Sequence, residues 1–285
     1  MSNLKIGVMV ESFRLSAREG IAKAAEVGAQ GIQIYTSGKE IHPDKLDKAA
    51  RKELLKYIHS HDLVVSALCG DFGGHGFEKA EENAWKIDIT KRTIDLAVDL
   101  QTNVVTTHIG VIPADRASAR YRIMFDAMKE IAEYGAPRGI TLAIETGPEV
   151  STVLRAFIED VDSKGLGVNL DPANLRMVAG EEPVQAVRNL KEFIVHTHAK
   201  DGIQLIEIEP EKIYHWFADS AASEISNPDD YFKEVPLGEG HVNFPTYIKA
   251  LREEAGYDGF FTIEREVGEN PYNDIKEAVK FLKAL

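Results

Sequence analysis

Residues Phe193–Asp201 read Phe-Ile-Val-His-Thr-His-Ala-Lys-Asp, an apolar run that turns polar abruptly with two imidazoles on alternate residues. Side chains of a strand alternate between faces, so His196 and His198 are expected to share a face with Ile194, with Val195 and Thr197 opposite. An apolar strand that ends in a ligand-type side chain on its inner face is how a parallel barrel presents chemistry at its C-terminal mouth. Alone, the pattern fits one packed core histidine and one surface histidine equally well. The rest of the chain decides between the two.

The chain has 285 residues, enough for two ordinary domains or one α/β barrel. Apolar residues make up 44% and charged residues 28%, the balance of a soluble globular enzyme with material for a sizeable core. No apolar run is long enough to cross a bilayer, and Met1–Glu11 lacks a signal-peptide layout, so a cytoplasmic location without membrane partners is expected. The single cysteine, Cys69, excludes an internal disulfide and fits a reducing compartment; no activating base is evident for it, and it reads as a small core residue. A net charge of −13 disfavours a nucleic-acid partner.

Eight short apolar stretches read as strands: Lys5–Val10, Gly31–Tyr35, Leu63–Leu68, Asn103–Thr107, Ile140–Ile144, Leu166–Leu170, Phe193–Thr197 and Gly259–Ile263. Between them lie amphipathic stretches, Ser16–Val27, Asp44–His59, Glu78–Leu100, Arg116–Tyr134, Thr152–Asp162, Val184–Leu190 and Phe244–Glu254, and Asn273–Leu285 closes the chain. Pro43, Pro183 and Pro271 stand where helices start, and Gly28, Gly135 and Gly256 where they end. Eight β-α units predict parallel strands, right-handed crossovers and one closed (β/α)8 TIM barrel spanning residues 1–285. One segment exceeds the repeat. Gly202–Leu237 holds Tyr214-His-Trp-Phe217 and a turn-rich Ser226-Asn-Pro-Asp229, and is expected to be a lid or interface insertion.

The strand ends carry the chemistry. They read Thr-His108, Ile-Glu145, Leu-Asp171, Thr-His198 and Ile-Glu264. Two residues before each, on the same face, stand Thr106, Ala143, Asn169, His196 and Thr262, all small or polar. Val105, Leu142, Ile144, Val168, Leu170, Val195, Phe261 and Ile263 would face the helices. Three carboxylates and an imidazole thus converge on one mouth, where uncompensated acids repel and drift toward protonation. A divalent cation removes the conflict, and mostly oxygen ligands with one imidazole suit Mn²⁺, Mg²⁺ or Co²⁺, with Zn²⁺ also compatible. The competing use of each acid is to cap the helix that follows its strand.

Four motifs resemble the sugar phosphate isomerase/epimerase family, xylose-isomerase-like barrels that include ketose 3-epimerases and inosose dehydratase and are related to endonuclease IV. They are Val168-Asn-Leu-Asp-Pro-Ala-Asn-Leu175, His196-Thr-His-Ala-Lys-Asp201, Pro236-Leu-Gly-Glu-Gly-His-Val-Asn-Phe244 and Tyr257-Asp-Gly-Phe-Phe-Thr-Ile-Glu264, in the family's order. The resemblance implies a single-metal quartet of Glu145, Asp171, His198 and Glu264, with the two glutamates as acid and base. It also implies a small-molecule carbohydrate substrate and leaves a homo-oligomer open. His108 matches a fourth-strand histidine that ligates metal in endonuclease IV but lies off the metal in the epimerases. Where many relatives carry a histidine three residues after the strand-six aspartate, this chain has Asn174. Endonuclease IV's Asp-x-His pair before Gly-Glu-Gly is absent too, so a three-metal nuclease site looks incomplete.

A metal that chelates a carbonyl and the adjacent hydroxyl makes the α C–H acidic enough for a carboxylate base. Two glutamates on opposite sides of the sugar give epimerisation, one acting twice gives aldose–ketose isomerisation, and departure of a β-hydroxyl gives dehydration. Isomerase or epimerase is the first expectation and lyase the second. Glu11, Asn174, Lys200 and His108 are candidates for substrate contact. His196, one layer deeper, is expected to support the ligands rather than bind metal. The glycine-rich Gly70–Gly76 is read as a flexible loop, not a phosphate cradle.

Overall fold

The computed structural model describes residues 4–38 and 40–285; the first three residues of the N-terminal stretch read above lie outside them. Eight parallel strands close into a barrel: β1 (Lys5–Met9), β2 (Gly31–Tyr35), β3 (Val64–Cys69), β4 (Val104–Thr107), β5 (Thr141–Glu145), β6 (Leu166–Leu170), β7 (Ile194–Ala199) and β10 (Phe260–Ile263). Their order around the barrel is that of the chain, with β10 joining β7 to β1. Each expected strand is present within two residues of its expected ends, and the fold is a single (β/α)8 TIM barrel.

The outer helices are α1 (Ala17–Glu26), α2 (Lys48–His59), α3 (Ala80–Asp99), α4 (Ala119–Gly135), α5 (Ser151–Val161), α7 (Pro183–Leu190), α9 (Phe244–Glu253) and α10 (Pro271–Lys283). Caps set their starts. Ser16 and Glu19 form a reciprocal capping box on α1. Asp47 caps the Ala50 amide, so α2 starts after Asp47 and not at Asp44. Ser118 likewise starts α4 three residues later than the periodicity suggests. Between β6 and α7 run a single turn, α6 (Pro172–Asn174), and a π-helical turn over Leu175–Ala179.

The expected outer-facing residues Val105, Leu142, Ile144, Val168, Leu170, Phe261 and Ile263 are buried in the main core under the helices. Val195 is the exception. The β6–β7 register steps from Val168↔Ile194 to Asn169↔His196, leaving Val195 as an extra residue. It packs instead with Ala67, Val104 and Ala143 of the barrel interior, while Ile194 packs against the main core. The bulge therefore turns Val195 inward beside His196 and separates Ile194 from the histidine face, contrary to strict alternation.

Between β7 and β10 the chain forms an antiparallel ribbon, β8 (Asp201–Gln204) with β9 (Phe232–Val235), carrying helix α8 (Pro210–Ala218). The ribbon lies against the π turn so closely that a Cβ at Gly202 would stand 2.0 Å from Met177 Sδ. The Lys200-Asp201 and Gly-Glu-Gly motifs meet at its base. Asp201 accepts the amides of Gly202 (2.8 Å), Gly238 (2.9 Å), Gly240 (3.0 Å) and Val242 (3.0 Å). Gly238 has φ +88°, and a Cβ at Gly240 would lie 2.1 Å from Asp201 Oδ1, so each glycine has its own steric reason.

Candidate metal centre

Glu145, Asp171, His198 and Glu264 leave four neighbouring strand ends and offer donor atoms that all lie within 4.8 Å of one another. At the centre is His198 Nδ1, 3.3 Å from Asp171 Oδ2, 3.4 Å from Glu145 Oε1 and 3.4 Å from Glu264 Oε2. Ligands about 2.0–2.2 Å from a first-row divalent ion stand roughly 3.0–3.6 Å apart, a range that the spacing of His198 Nδ1 from each of the three acids meets. All four side chains are buried.

Asp171 turns one oxygen to each side. Its Oδ1 caps the Asn174 amide at 2.8 Å, and its Oδ2 faces His198.

Below the quartet runs a hydrogen-bonded layer. His198 Nε2 lies 3.0 Å from Gln33 Oε1, and Gln33 Nε2 donates to Thr106 Oγ1 at 2.8 Å. A Gln33 oxygen that accepts the Nε2 proton leaves Nδ1 bare for a cation, the usual means of fixing a ligating imidazole. Asn169 Nδ2 donates to Glu145 Oε2 at 3.2 Å, while Asn169 Oδ1 meets His196 Nδ1 at 2.8 Å. Thr262 Oγ1 completes the chain at 3.0 Å from His196 Nε2. Burial and the adjacent His198 push His196 down to about 3, so it is neutral. The structure places His196 one layer below the cluster, engaged at both nitrogens.

Electrostatic conflict is built in. Burial pushes Glu264 up to about 7 against the pull of Lys200 and His198. Burial also opposes ionisation of Glu145, but His108, His198 and Lys200 hold its carboxyl well below the usual range. Burial works against protonating His198, yet Glu264, Glu145 and Asp171 carry it well above its ordinary value. A divalent cation would relieve the conflict of three buried acids around one imidazole, and this donor set of oxygens with one nitrogen could hold one.

The remaining candidates fall in different places. Asn174 Nδ2 donates to Glu145 Oε1 at 3.2 Å. Lys200 is buried, with Nζ 2.9 Å from Glu264 Oε2 and a close contact to Glu266. His108 Nδ1 lies 2.9 Å from Asp71 Oδ2, its Nε2 is 3.9 Å from Glu145 Oε1, and its ring stands 5.9 Å from that of Tyr214. Glu11 is not part of the cluster. It sits in the 3-10 turn after β1 with Oε2 buried and unpartnered, and burial pushes it up to about 7. Gln33 and Asp71 carry no site expectation from the sequence, and Tyr214 entered only as part of the 202–237 insertion. Of the first two, Gln33 carried a signal, as a polar residue inside an apolar strand.

The architecture and the cluster define a class, an eight-stranded parallel barrel with a carboxylate–imidazole centre at its C-terminal mouth. The chain belongs to the xylose isomerase-like TIM barrel family, whose model matches residues 21–285. Comparison with curated protein sequences finds no match. Among solved structures, a xylose isomerase domain protein from Planctomyces limnophilus superposes with a TM-score of 0.78 at 22% identity, covering 99% of this chain and 96% of that one. A probable 3-DHS dehydratase from Bacillus anthracis gives 0.72 at 22% identity, with 98% of each chain covered. A D-psicose 3-epimerase gives 0.72 at 16% identity, again with 98% of each covered. At these identities the likeness is one of fold.

Proposed function

We propose that this chain is a divalent-metal-dependent isomerase or epimerase of a keto sugar, working by α-proton transfer. The observation that carries the reading is the placement of Glu145 and Glu264 on either side of Asp171 and His198, each 3.4 Å from the same imidazole nitrogen. A cation held by Glu145, Asp171, His198 and Glu264, with Mn²⁺ the best match to the donors, would polarise the substrate carbonyl as a Lewis acid. The two carboxylates stand at the ends of β5 and β10, with β6 and β7 between them. A carbon bound between them has one glutamate on each face, one to remove the α proton and one to return it. Asn169 and Asn174 fix Glu145, and Lys200 fixes Glu264. His108, held by Asp71, faces the cleft where it can hydrogen-bond a sugar oxygen. The 202–237 insertion serves as a lid on one domain, with Tyr214 reaching toward the mouth.

A lyase is the second reading, favoured by an asymmetry in the pair. Glu264 has an ammonium 2.9 Å away, whereas Glu145 is backed by two amides. Protonating a departing β-hydroxyl calls for a carboxyl that carries its proton near neutrality, and burial pushes Glu264 up to about 7 against the pull of Lys200, whereas Glu145 is held ionised. Incubating the metal-loaded protein with ketoses and inososes in D₂O separates the readings. One deuterium at the α carbon of an isomeric product supports the first, and loss of water supports the second. No exchange with any member of the panel refutes α-proton transfer on these substrates.

A further inference from the structure

We propose that His75, Glu78 and His215 form a second cation site, for a zinc-class ion, that pins helix α8 to the loop after β3 at the rim of the mouth. Their donor atoms lie within 4.8 Å of one another, and none belongs to the barrel quartet. Two imidazoles and one carboxylate, with a water as fourth ligand, are a set that favours Zn²⁺ over Mg²⁺ or Ca²⁺.

The three groups arrive from two separate parts of the fold. His75 and Glu78 are the ends of one turn, closed by the Glu78 amide on the His75 carbonyl at 3.1 Å. The Phe77 amide anchors that turn on Ile109 O at 2.8 Å. Glu78 Oε1 accepts the Val111 amide at 2.7 Å, which leaves Oε2 for the cluster. His215 comes from α8, with its ring 6.0 Å from that of His75. All three line the same cleft as His108 and Tyr214.

Contacts among the described residues do not account for the imidazoles. The closest acid to His75 is Glu78 at 3.8 Å, and the closest to His215 is Glu211 at 3.6 Å, both beyond hydrogen-bond length. Glu211 is already engaged by Arg120 at 2.7 Å. That guanidinium also lies 3.9 Å from Glu78 Oε2 and opposes a cation, so the rim binds more weakly than the quartet. Ligation requires the donors to draw in by about 1 Å from their present spread. The His215 side chain can follow, because it is 39% exposed.

The consequence is positional. Tyr214 is the neighbour of His215, with its hydroxyl 2.1 Å from where a Cβ of Gly147 would stand and its ring 5.9 Å from His108. A cation at the rim therefore holds Tyr214 over the mouth.

The test is equilibrium dialysis of the full chain against zinc with metal analysis, together with limited proteolysis of 202–237. Wild type, His75→Ala, His215→Ala and His198→Ala are compared. Two zinc ions are expected on wild type and one on each rim variant. Zinc should protect the insertion in wild type and not in His215→Ala. If His198→Ala folds, it should retain one zinc and the protection. Wild-type stoichiometry in His215→Ala, or protection that survives that change, overturns the rim site. A single zinc lost only in His198→Ala does so as well and leaves the barrel quartet standing. A single zinc lost only in the rim variants leaves the rim and removes the quartet.

Discussion

Replacing Asp201 by Asn changes one oxygen to an amide group and keeps the size, so no cavity opens. Each Asp201 oxygen receives two backbone N–H groups: Gly202 and Val242 on Oδ1, Gly238 and Gly240 on Oδ2. Whichever side the Asn nitrogen takes, two buried amides lose their acceptor and face donors instead. A hydrogen bond to a charged group contributes about 1.5–3 kcal/mol, so losing two costs about 3–6 kcal/mol. The remaining pair weakens as well, because its acceptor is no longer ionised. Against a total stability of about 5–15 kcal/mol this is a large fraction. Equilibrium urea unfolding measures it, with an unchanged m-value expected. Amide exchange at Gly238, Gly240 and Val242 should quicken in parallel. A loss below about 1 kcal/mol, with exchange unchanged, would refute the assignment of Asp201 as the clamp of the Gly-Glu-Gly loop.

His196→Ala should cost about 2–4 kcal/mol, from two lost hydrogen bonds and the space left by the ring, while metal content is retained; loss of the metal at unchanged stability in thermal unfolding would make His196 a ligand. Burial pushes Glu149 from 4.5 to about 8, with the Ile112 amide and His108 pulling down and Glu78 pushing up. Its folded pKa exceeds the unfolded value, so its contribution is fully present below about pH 4.5 and lost as pH rises to about 8. Glu149→Gln should therefore gain about 3–5 kcal/mol relative to wild type across that window, and parallel stability–pH curves for the two proteins would contradict it. Shortening the insertion around Tyr214–Phe217 should raise the apparent KM and leave metal binding intact; unchanged kinetics would make the segment a bystander.

Most of the barrel was legible because its signal is local. Alternation along each strand, with a polar residue at the end, marks both the sheet and the mouth, and Glu145, Asp171, His198 and Glu264 follow from that pattern. What escaped depends on partners distant in sequence. The bulge that turns Val195 inward arises from pairing with β6 and leaves no mark in the composition of β7. Gln33 reads as a lone polar residue in Gly31–Tyr35 until closure of the barrel brings His198 to it across 165 positions. Lys200 reads as a substrate contact by its place beside His198, and only the fold shows it facing Glu264 and Glu266. His75 and His215 come together through an insertion whose path no periodicity describes.

Four strand-end side chains are proposed to hold one catalytic ion, and anomalous diffraction from crystals soaked in Mn²⁺ tests this. A peak is expected at the barrel mouth, about 2.0–2.4 Å from His198 Nδ1 and from oxygens of Glu145, Asp171 and Glu264. Crystals soaked at a Mn²⁺ concentration that supports turnover, with no peak touching any of the four, would contradict it.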